Sequence, residues 1–293
     1  MTRVGIITQA RMTSTRLPGK VLLTAGGRTL LDHHIDRLQK LDVPLIVATT
    51  TNASDDPIAA LALSRGVRVF RGSETDVLGR FAGAARDTGL DVVVRVTSDC
   101  PLIDPALIGQ GIRRFAELDD PTAHVSNVLE RTYPRGFDFE VISAAALLEA
   151  DALASLPVDR EHVTTYLYSG RGADKSLHAI TGTRDASRFR VTVDTPEDLA
   201  VIRALVETYG AADLSADEII EVLEAHPELV ALNADVEQKK LGELPPGLTE
   251  FSARCSRRCS GRAPRRSARP ERERPCRGRG HACRNGAGRV RCG

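Results

Sequence analysis

Three cations and several hydroxyls share one short stretch, Gln9-Ala10-Arg11-Met12-Thr13-Ser14-Thr15-Arg16-Leu17-Pro18-Gly19-Lys20. It follows directly on an apolar, β-branched run over residues 4–8. That places it in a loop at the carboxyl end of a strand, where open α/β sheets bind ligands. Backbone amides of a tight loop, together with Arg11, Arg16 and Lys20, would cradle a polyphosphate. The Gly-x-x-x-x-Gly-Lys-Ser/Thr spacing of a Walker loop is absent, so this cradle is of another kind. A solvated basic loop is the plainer alternative. A second stretch, Thr97-Ser98-Asp99-Cys100-Pro101-Leu102-Ile103-Asp104-Pro105, sets Asp99 just past a strand. A third, Val193-Asp194-Thr195-Pro196-Glu197-Asp198-Leu199, does the same for Asp194. A carboxylate in that position can hold Mg²⁺ against phosphates, because Mg²⁺ usually takes only one or two protein carboxylates. The plain alternative for both is a turn or helix-capping acid, the role we assign to Asp104 ahead of Pro105.

Other residues carry weaker signals. Arg71-Gly72 ends a further strand run and could approach a base or ribose, or simply form a surface turn. Arg135 and Asp138 sit in the Pro/Gly loop Tyr133-Pro134-Arg135-Gly136-Phe137-Asp138 and are candidates for binding an acceptor sugar. Arg160 and His162 open a helix. Arg160 could pair with a carboxylate on the acceptor, an ion pair or helix-end contact within the protein being the alternative. Cys100 lies beside Asp99 with no obvious partner base and reads as a small packing residue. His33-His34 lies in an amphipathic helix and reads as structural.

Taken in order, the three main stretches resemble the sugar-acid cytidylyltransferases. The first is similar to their "PAR…SSRLPGK" signature, Ser-Asp-Cys-Pro-Leu-Ile to their Asp-x-Pro-Leu-Ile metal motif, and Val-Asp-Thr-Pro-Glu-Asp-Leu to their C-terminal metal motif. The spore-coat polysaccharide (SpsF-like) branch is closer still, with stretches similar to Arg71-Gly72-Ser73-Glu74-Thr75-Asp76-Val77-Leu78, to the Tyr133–Asp138 loop, and to Asp159-Arg160-Glu161-His162-Val163-Thr164. The resemblance spans roughly residues 1–245. It implies a GT-A-type nucleotidyltransferase fold and an Mg²⁺-dependent transfer from CTP, or another NTP, to a sugar or sugar acid. Pyrophosphate would be released and the product would serve surface polysaccharide biosynthesis. Asp99 and Asp194 would hold the metal. Gln9, Ala10, Arg11, Arg16, Lys20, Arg71 and Gly72 would bind the nucleotide, with Arg11, Arg16, Lys20 and Asp99 in catalysis. Two rivals stand beside this reading. A GT-A glycosyltransferase would be expected to show Asp-x-Asp after a strand, where this chain has Asp-Cys-Pro. A non-catalytic nucleotide-binding module would have no need of all five charged residues.

The elements that must position these residues are legible as alternating patterns. Strand-like runs over residues 4–8, 45–49, 67–70 and 92–97 alternate with helical spacing over 30–41, 57–65 and 77–88. Asp56 with Pro57 and Asp104 with Pro105 read as helix starts. Such alternation predicts an α/β fold with a mostly parallel, twisted sheet and helices on both faces. Beyond residue 117 the pattern loosens. Strands are expected at 124–127, 139–142 and 177–181, helices at 144–154 and 160–168, and a β-rich run at 190–193. Capped helices are expected to start at Thr195 and Ser215.

The chain has 293 residues, is 42% hydrophobic, and has a net charge of +1 that conceals two unlike parts. Residues 251–293 hold fourteen arginines against two glutamates, a charge of +12, and five of the six cysteines. Residues 1–250 hold 26 Lys and Arg against 37 Asp and Glu, a charge of −11, and only Cys100. The first part reads as a nucleotidyltransferase domain over 1–245. Residues 246–293 read as a disordered Arg/Cys-rich extension, with the composition of out-of-frame translation and too little apolar surface to offset ordering entropy. Its cysteine spacings match no regular zinc pattern. One cysteine in the body, no signal-peptide pattern and no membrane-spanning run predict a cytoplasmic enzyme. Expected partners are the nucleotide, the sugar and at most a second copy of the chain. Neither membrane nor nucleic acid is expected.

Overall fold

The computed structural model describes residues 2–169, 171 and 175–238. The boundary expected at 245/246 and the whole Arg/Cys-rich extension lie outside the described residues. The chain runs through β1 (Val4–Gln9), the hairpin β2 (Thr24–Ala25) and β3 (Arg28–Thr29), α1 (Leu30–Gln39), β4 (Leu45–Thr50), α2 (Asp56–Ser64), β5 (Arg68–Gly72), α3 (Val77–Thr88), β6 (Val92–Thr97) and α4 (Pro105–Leu118). Then follow β7 (Ala123–Ser126), β8 (Glu140–Ser143), α5 (Ala144–Leu153), α6 (Pro157–His162), α7 (Thr165–Tyr168), β9 (Ser176–Ala179), α8 (Pro196–Tyr209), α9 (Ala216–Ala225) and α10 (Pro227–Ala231).

Seven strands form one sheet in the order β5-β4-β1-β6-β8-β7-β9. The β5-β4-β1-β6 half is parallel, β8 is antiparallel to β6 and β7, and β9 is parallel to β7. This is the expected mostly parallel α/β sheet. Successive residues of the central strands serve opposite faces. Ile6, Val47, Val94 and Val96 join Leu31 and Ile35 of α1, Ile108 of α4 and Ile202 of α8 in one core. Ile7, Ile46, Ala48 and Val93 join Phe81 of α3, Leu147 of α5 and Leu167 of α7 in the other. Each fully buried Ile or Leu contributes about 1.5–3 kcal/mol, which is what holds helices to both faces.

The chain leaves β1 through β4 to β5 on one side, then returns to place β6 on β1's other side. The carboxyl ends of β1 and β6 therefore flank the switch point of the sheet, the crevice where such folds take ligands. The two loops that leave it are joined at the root, since Ser98 N donates to Gln9 O at 3.1 Å.

Three expectations are corrected, and two elements were not foreseen. Asp55, not Asp56, precedes α2, and its side chain makes no capping bond. The helix expected over 160–168 is two short helices, because Val163 adopts φ 64° and ψ −60°. Thr164 N donates to His162 O at 2.7 Å across it, which makes a γ-turn of the rare strained kind. A β-branched residue held there costs about 1–3 kcal/mol, offset by full burial of Val163 in the second core. The run over 190–193 is extended but joins no sheet strand. It is tied to the Tyr133–Asp138 loop through an Arg135–Arg190 bridge. The hairpin β2–β3 and the helix α10 have no counterpart in the expected elements.

Candidate active site

The loop after β1 is pinned from the 3-10 turn that follows the neighbouring strand β4. Met12 N donates to Asp55 Oδ1 at 2.9 Å, and the buried Asp55 also accepts from Thr50 Oγ1 at 2.5 Å. The loop then closes on one carbonyl, Met12 O, which accepts from Ser14 N at 3.0 Å and Gly19 N at 2.9 Å. Gly19 has φ 68°, and a Cβ there would meet Met12 Cε at 3.1 Å, so the turn requires glycine. A single 3-10 turn, Lys20–Leu22, follows and carries the Lys20 side chain inward. Its ammonium lies 2.9 Å from Asp99 Oδ2 and 2.8 Å from Asp194 Oδ1. Burial disfavours that charge, but Asp99 and Asp194 outweigh burial and hold the pKa of Lys20 above its ordinary value.

The two carboxylates come from segments bonded to each other. Asp99 O accepts from Val193 N at 2.8 Å and from Thr192 Oγ1 at 3.1 Å. Asp194 Oδ2 is met by Arg16 Nη2 at 2.9 Å and Arg190 Nη2 at 2.7 Å. Burial pushes the Asp99 carboxyl upward, yet Lys20 and hydrogen bonds from Thr97, Lys20 and Cys100 bring it down to about 2. Behind Asp99 lies a buried relay. His34 Nδ1 is 2.8 Å from Cys100 O, Nε2 is 2.9 Å from Thr8 Oγ1, and Thr8 Oγ1 is 3.0 Å from Ser98 Oγ. The carbonyl can only accept, so Nδ1 carries the proton, Nε2 accepts from Thr8, and Thr8 accepts from Ser98. Burial lowers the pKa of His34 to about 4, which keeps the ring neutral in this role.

Asp198, also fully buried, anchors Asp194. It accepts from Asp194 N at 2.9 Å, Thr195 N at 3.2 Å, Arg190 Nε at 2.8 Å and Asn233 Nδ2 at 2.9 Å. It also completes the capping box of α8. Arg190 reaches onward to Gln238 Oε1 at 2.6 Å. Gly136 has φ 114° and sits so close to Val191 and Thr192 that a Cβ would lie 2.6 Å from Val191 C. That close approach brings the Tyr133–Asp138 loop against the segment bearing Asp194.

The predicted residues divide into two sets. Arg16, Lys20, Asp99 and Asp194 converge. Arg11 stands at the loop's outer edge, its Nη1 3.8 Å from Glu74 Oε1. Gln9 ends β1 with its Oε1 buried and without a hydrogen-bond partner among the described residues, and Ala10 N donates to Ala48 O at 3.3 Å. Arg135 is half-buried and its guanidinium has no ion pair among the described residues. Burial, Arg131 and Arg190 lower its pKa, against the pull of Asp138. Asp138 itself is held by Arg131 at 2.6 and 2.9 Å.

Outside this convergence, Arg71 is engaged by Thr50 O at 2.7 Å, Asn52 O at 2.9 Å and Asp56 Oδ1 at 2.6 Å. It braces the loop after β4, beside Gly72, whose carbonyl accepts from Thr51 N at 3.0 Å. Arg160 pairs with Asp76 at 2.6–2.7 Å and with Asp151 Oδ1 at 2.8 Å, tying the start of α3 to α5 and α6. The contacts therefore carry the ion-pair alternative for Arg160. His162 ends α6 and gives its carbonyl to the γ-turn. Sequence reasoning did not single out Asp55, Arg190 or Asp198. The spacing Arg190-x3-Asp194-x3-Asp198 was the available signal for the last two.

Among the described residues no group of three or more His, Cys, Asp or Glu gathers at one point. A metal would have the pair Asp99 and Asp194, which matches the one or two carboxylates that Mg²⁺ takes. Among the described residues no helix is long and apolar enough to cross a membrane.

A cytidylyltransferase family model matches residues 5–238. The chain is 34% identical to the spore coat polysaccharide biosynthesis protein SpsF of Bacillus subtilis, over 78% of this chain and 97% of that one. It is 28% identical to a 3-deoxy-manno-octulosonate cytidylyltransferase of Anaeromyxobacter dehalogenans, over 70% of this chain and 98% of that one. A solved cytidylyltransferase from Leptospira borgpetersenii superposes with TM-score 0.76 at 32% identity, covering 82% of this chain and all of that one. With the sheet, the switch-point loops and the family match in agreement, this chain belongs to the cytidylyltransferases and is a nucleotidyltransferase.

Proposed function

We propose that the chain transfers CMP from CTP to a sugar acid, releasing pyrophosphate, with Mg²⁺ held by Asp99 and Asp194. The observation that carries this reading is the convergence of both carboxylates on Lys20 at the mouth between β1 and β6. An acceptor oxygen attacks the α-phosphorus, a new P–O bond forms, and the bond to the β-phosphate oxygen breaks. Such a reaction asks the protein for positioning and charge stabilisation more than for covalent chemistry. We assign the β- and γ-phosphates to Arg11, Arg16 and Lys20, since Arg11 and Arg16 are partly exposed and Lys20 is held by side-chain carboxylates that a ligand can replace. Mg²⁺, when bound, would polarise the α-phosphate and neutralise its developing charge. Gln9, whose buried Oε1 has no hydrogen-bond partner among the described residues, Ala10 and the Arg71-Gly72 strand end are the residues we assign to the nucleotide.

Arg135 is the acceptor anchor in this account. A half-buried guanidinium near Arg131, Arg190 and Asp138, with no ion pair among the described residues, is suited to an incoming carboxylate. Asp138, fixed by Arg131, would receive sugar hydroxyls, whereas Arg160 is committed to Asp76 and Asp151 and serves the scaffold. The likeness to SpsF supports a place for the product in polysaccharide biosynthesis; we assign the reaction to the cytoplasm and catalysis to residues 1–245. The test is a screen of the four NTPs against a panel of sugar acids, read as Mg²⁺-dependent pyrophosphate release. CTP with at least one sugar acid should give turnover. Turnover only with another nucleotide, or only with neutral sugars, would overturn the assignment.

A further inference from the structure

We infer that Lys20 is the resident cation of the Asp99–Asp194 pair and that it admits a divalent metal only together with a nucleoside triphosphate. This rests on the metal reading above and goes beyond it, since it makes Lys20 the residue that selects the metal–nucleotide complex over the free ion. The ammonium bridges the two carboxylates at 2.9 and 2.8 Å, so a metal using both acids must take the place it holds. Asp194's second oxygen is already met by Arg16 and Arg190. Counting the buried hub, three carboxylates (Asp99, Asp194, Asp198) face three cations (Lys20, Arg16, Arg190). The cluster is charge-balanced before any ligand arrives. A bare divalent ion would add two uncompensated charges and strip the Lys20 ammonium of both its carboxylates at once. Removing the partners of a half-buried charge is costly. A triphosphate reverses the balance. It brings more negative charge than the metal brings positive, and its oxygens give the ammonium and Arg16 new partners. The flexible four-carbon stem of Lys20, rooted in the turn after Gly19, lets the charge swing while the backbone stays in place.

The test is Mn²⁺ binding to the full chain under reducing conditions, followed by loss of the free-Mn²⁺ resonance with and without CTP, with the Mn²⁺ that CTP chelates in protein-free solution subtracted. Wild type should bind Mn²⁺ at least ~10-fold more tightly with CTP present than alone. Lys20→Met, which keeps the stem and removes the charge, should bind bare Mn²⁺ at least ~10-fold more tightly than wild type and lose most of the dependence on CTP. Adding Asp99→Asn to Lys20→Met should return bare-metal affinity to the wild-type level, which places the gained site at the acid pair. Lys20→Gln serves as a second neutral variant, and each variant's melting transition reports that it is folded. A folded Lys20→Met or Lys20→Gln that binds bare Mn²⁺ no more tightly than wild type, while wild type still binds Mn²⁺ with CTP, overturns the inference and leaves the metal reading standing. Wild type that binds no Mn²⁺ even with CTP overturns both.

Discussion

Replacing Asp198 with alanine probes the scaffold that holds the site. Asp198 is fully buried and receives Arg190 at 2.8 and 3.0 Å, the amides of Asp194 and Thr195, and Asn233 at 2.9 Å. Breaking a buried ion pair from one side costs about 3–5 kcal/mol, because the other charge stays buried. Here Arg190, 8% exposed, keeps Asp194 as a second partner, which moves the pair's share towards the lower end. Loss of the α8 capping box adds about 1 kcal/mol, so the expected total is about 3–5 kcal/mol. For a domain of this size each kcal/mol shifts Tm by roughly 2–4 °C, giving a fall of roughly 6–20 °C by circular dichroism. Asp198→Asn keeps one acceptor oxygen and should recover part of the loss. Because Asp194 N is one of the freed donors, kcat should fall along with stability. A melting transition within 1–2 °C of wild type, with kcat unchanged, would refute the claim that this carboxylate organises the site.

Four further outcomes are expected. Asp99→Asn and Asp194→Asn should each lower nucleotidyl transfer by at least ~100-fold while remaining folded, since each removes charge from one metal position; full activity in either breaks the two-acid account. Arg16→Ala should weaken the nucleotide step by about 1.5–3 kcal/mol through lost charge-assisted contacts, read as a rise in KM for CTP or a fall in kcat. The buried neutral His34, with its pKa depressed to about 4, contributes stability that is fully present above the unfolded value of 6.5 and is lost as pH falls from there towards 4. The loss amounts to about 3 kcal/mol at most, and unfolding of His34→Gln should lack that pH dependence between 6.5 and 4. Truncation after residue 248 should leave Tm and pyrophosphate release unchanged, since every residue of the site lies at or before Gln238; loss of several degrees or most of the activity would contradict this.

The parallel half of the fold was legible because its strands are near-continuous apolar runs such as Val92–Thr97, buried on both faces and punctuated by strong caps such as Asp104-Pro105. The same logic put Asp99 just past β6 and Lys20 in the loop that follows β1, and in the fold the two side chains meet. Sequence periodicity did not show what depends on contacts between distant segments. The run over 190–193 looks like a strand, but its bonds go to Asp99 O and the Arg135 loop, which no local pattern encodes. The break at Val163 runs against local propensity, and its Thr164 is bound by Glu140, 24 residues away. Asp198 is legible as part of the helix cap that starts at Thr195, but its ion pair with Arg190 and the burial of both depend on the fold. Asp55 holds Met12, 43 residues away, a contact that no local pattern around Asp56-Pro57 encodes.

The central claim, that Asp99 and Asp194 together serve nucleotidyl transfer at the β1/β6 mouth, is tested most directly by phosphorus-31 NMR. The full chain is incubated with CTP, Mg²⁺ and an accepted sugar acid. The account predicts a new phosphodiester resonance and pyrophosphate in equal amounts from wild type, and neither from Asp194→Asn. Formation of CDP and inorganic phosphate instead, or the same products at the same rate from Asp194→Asn, would contradict it.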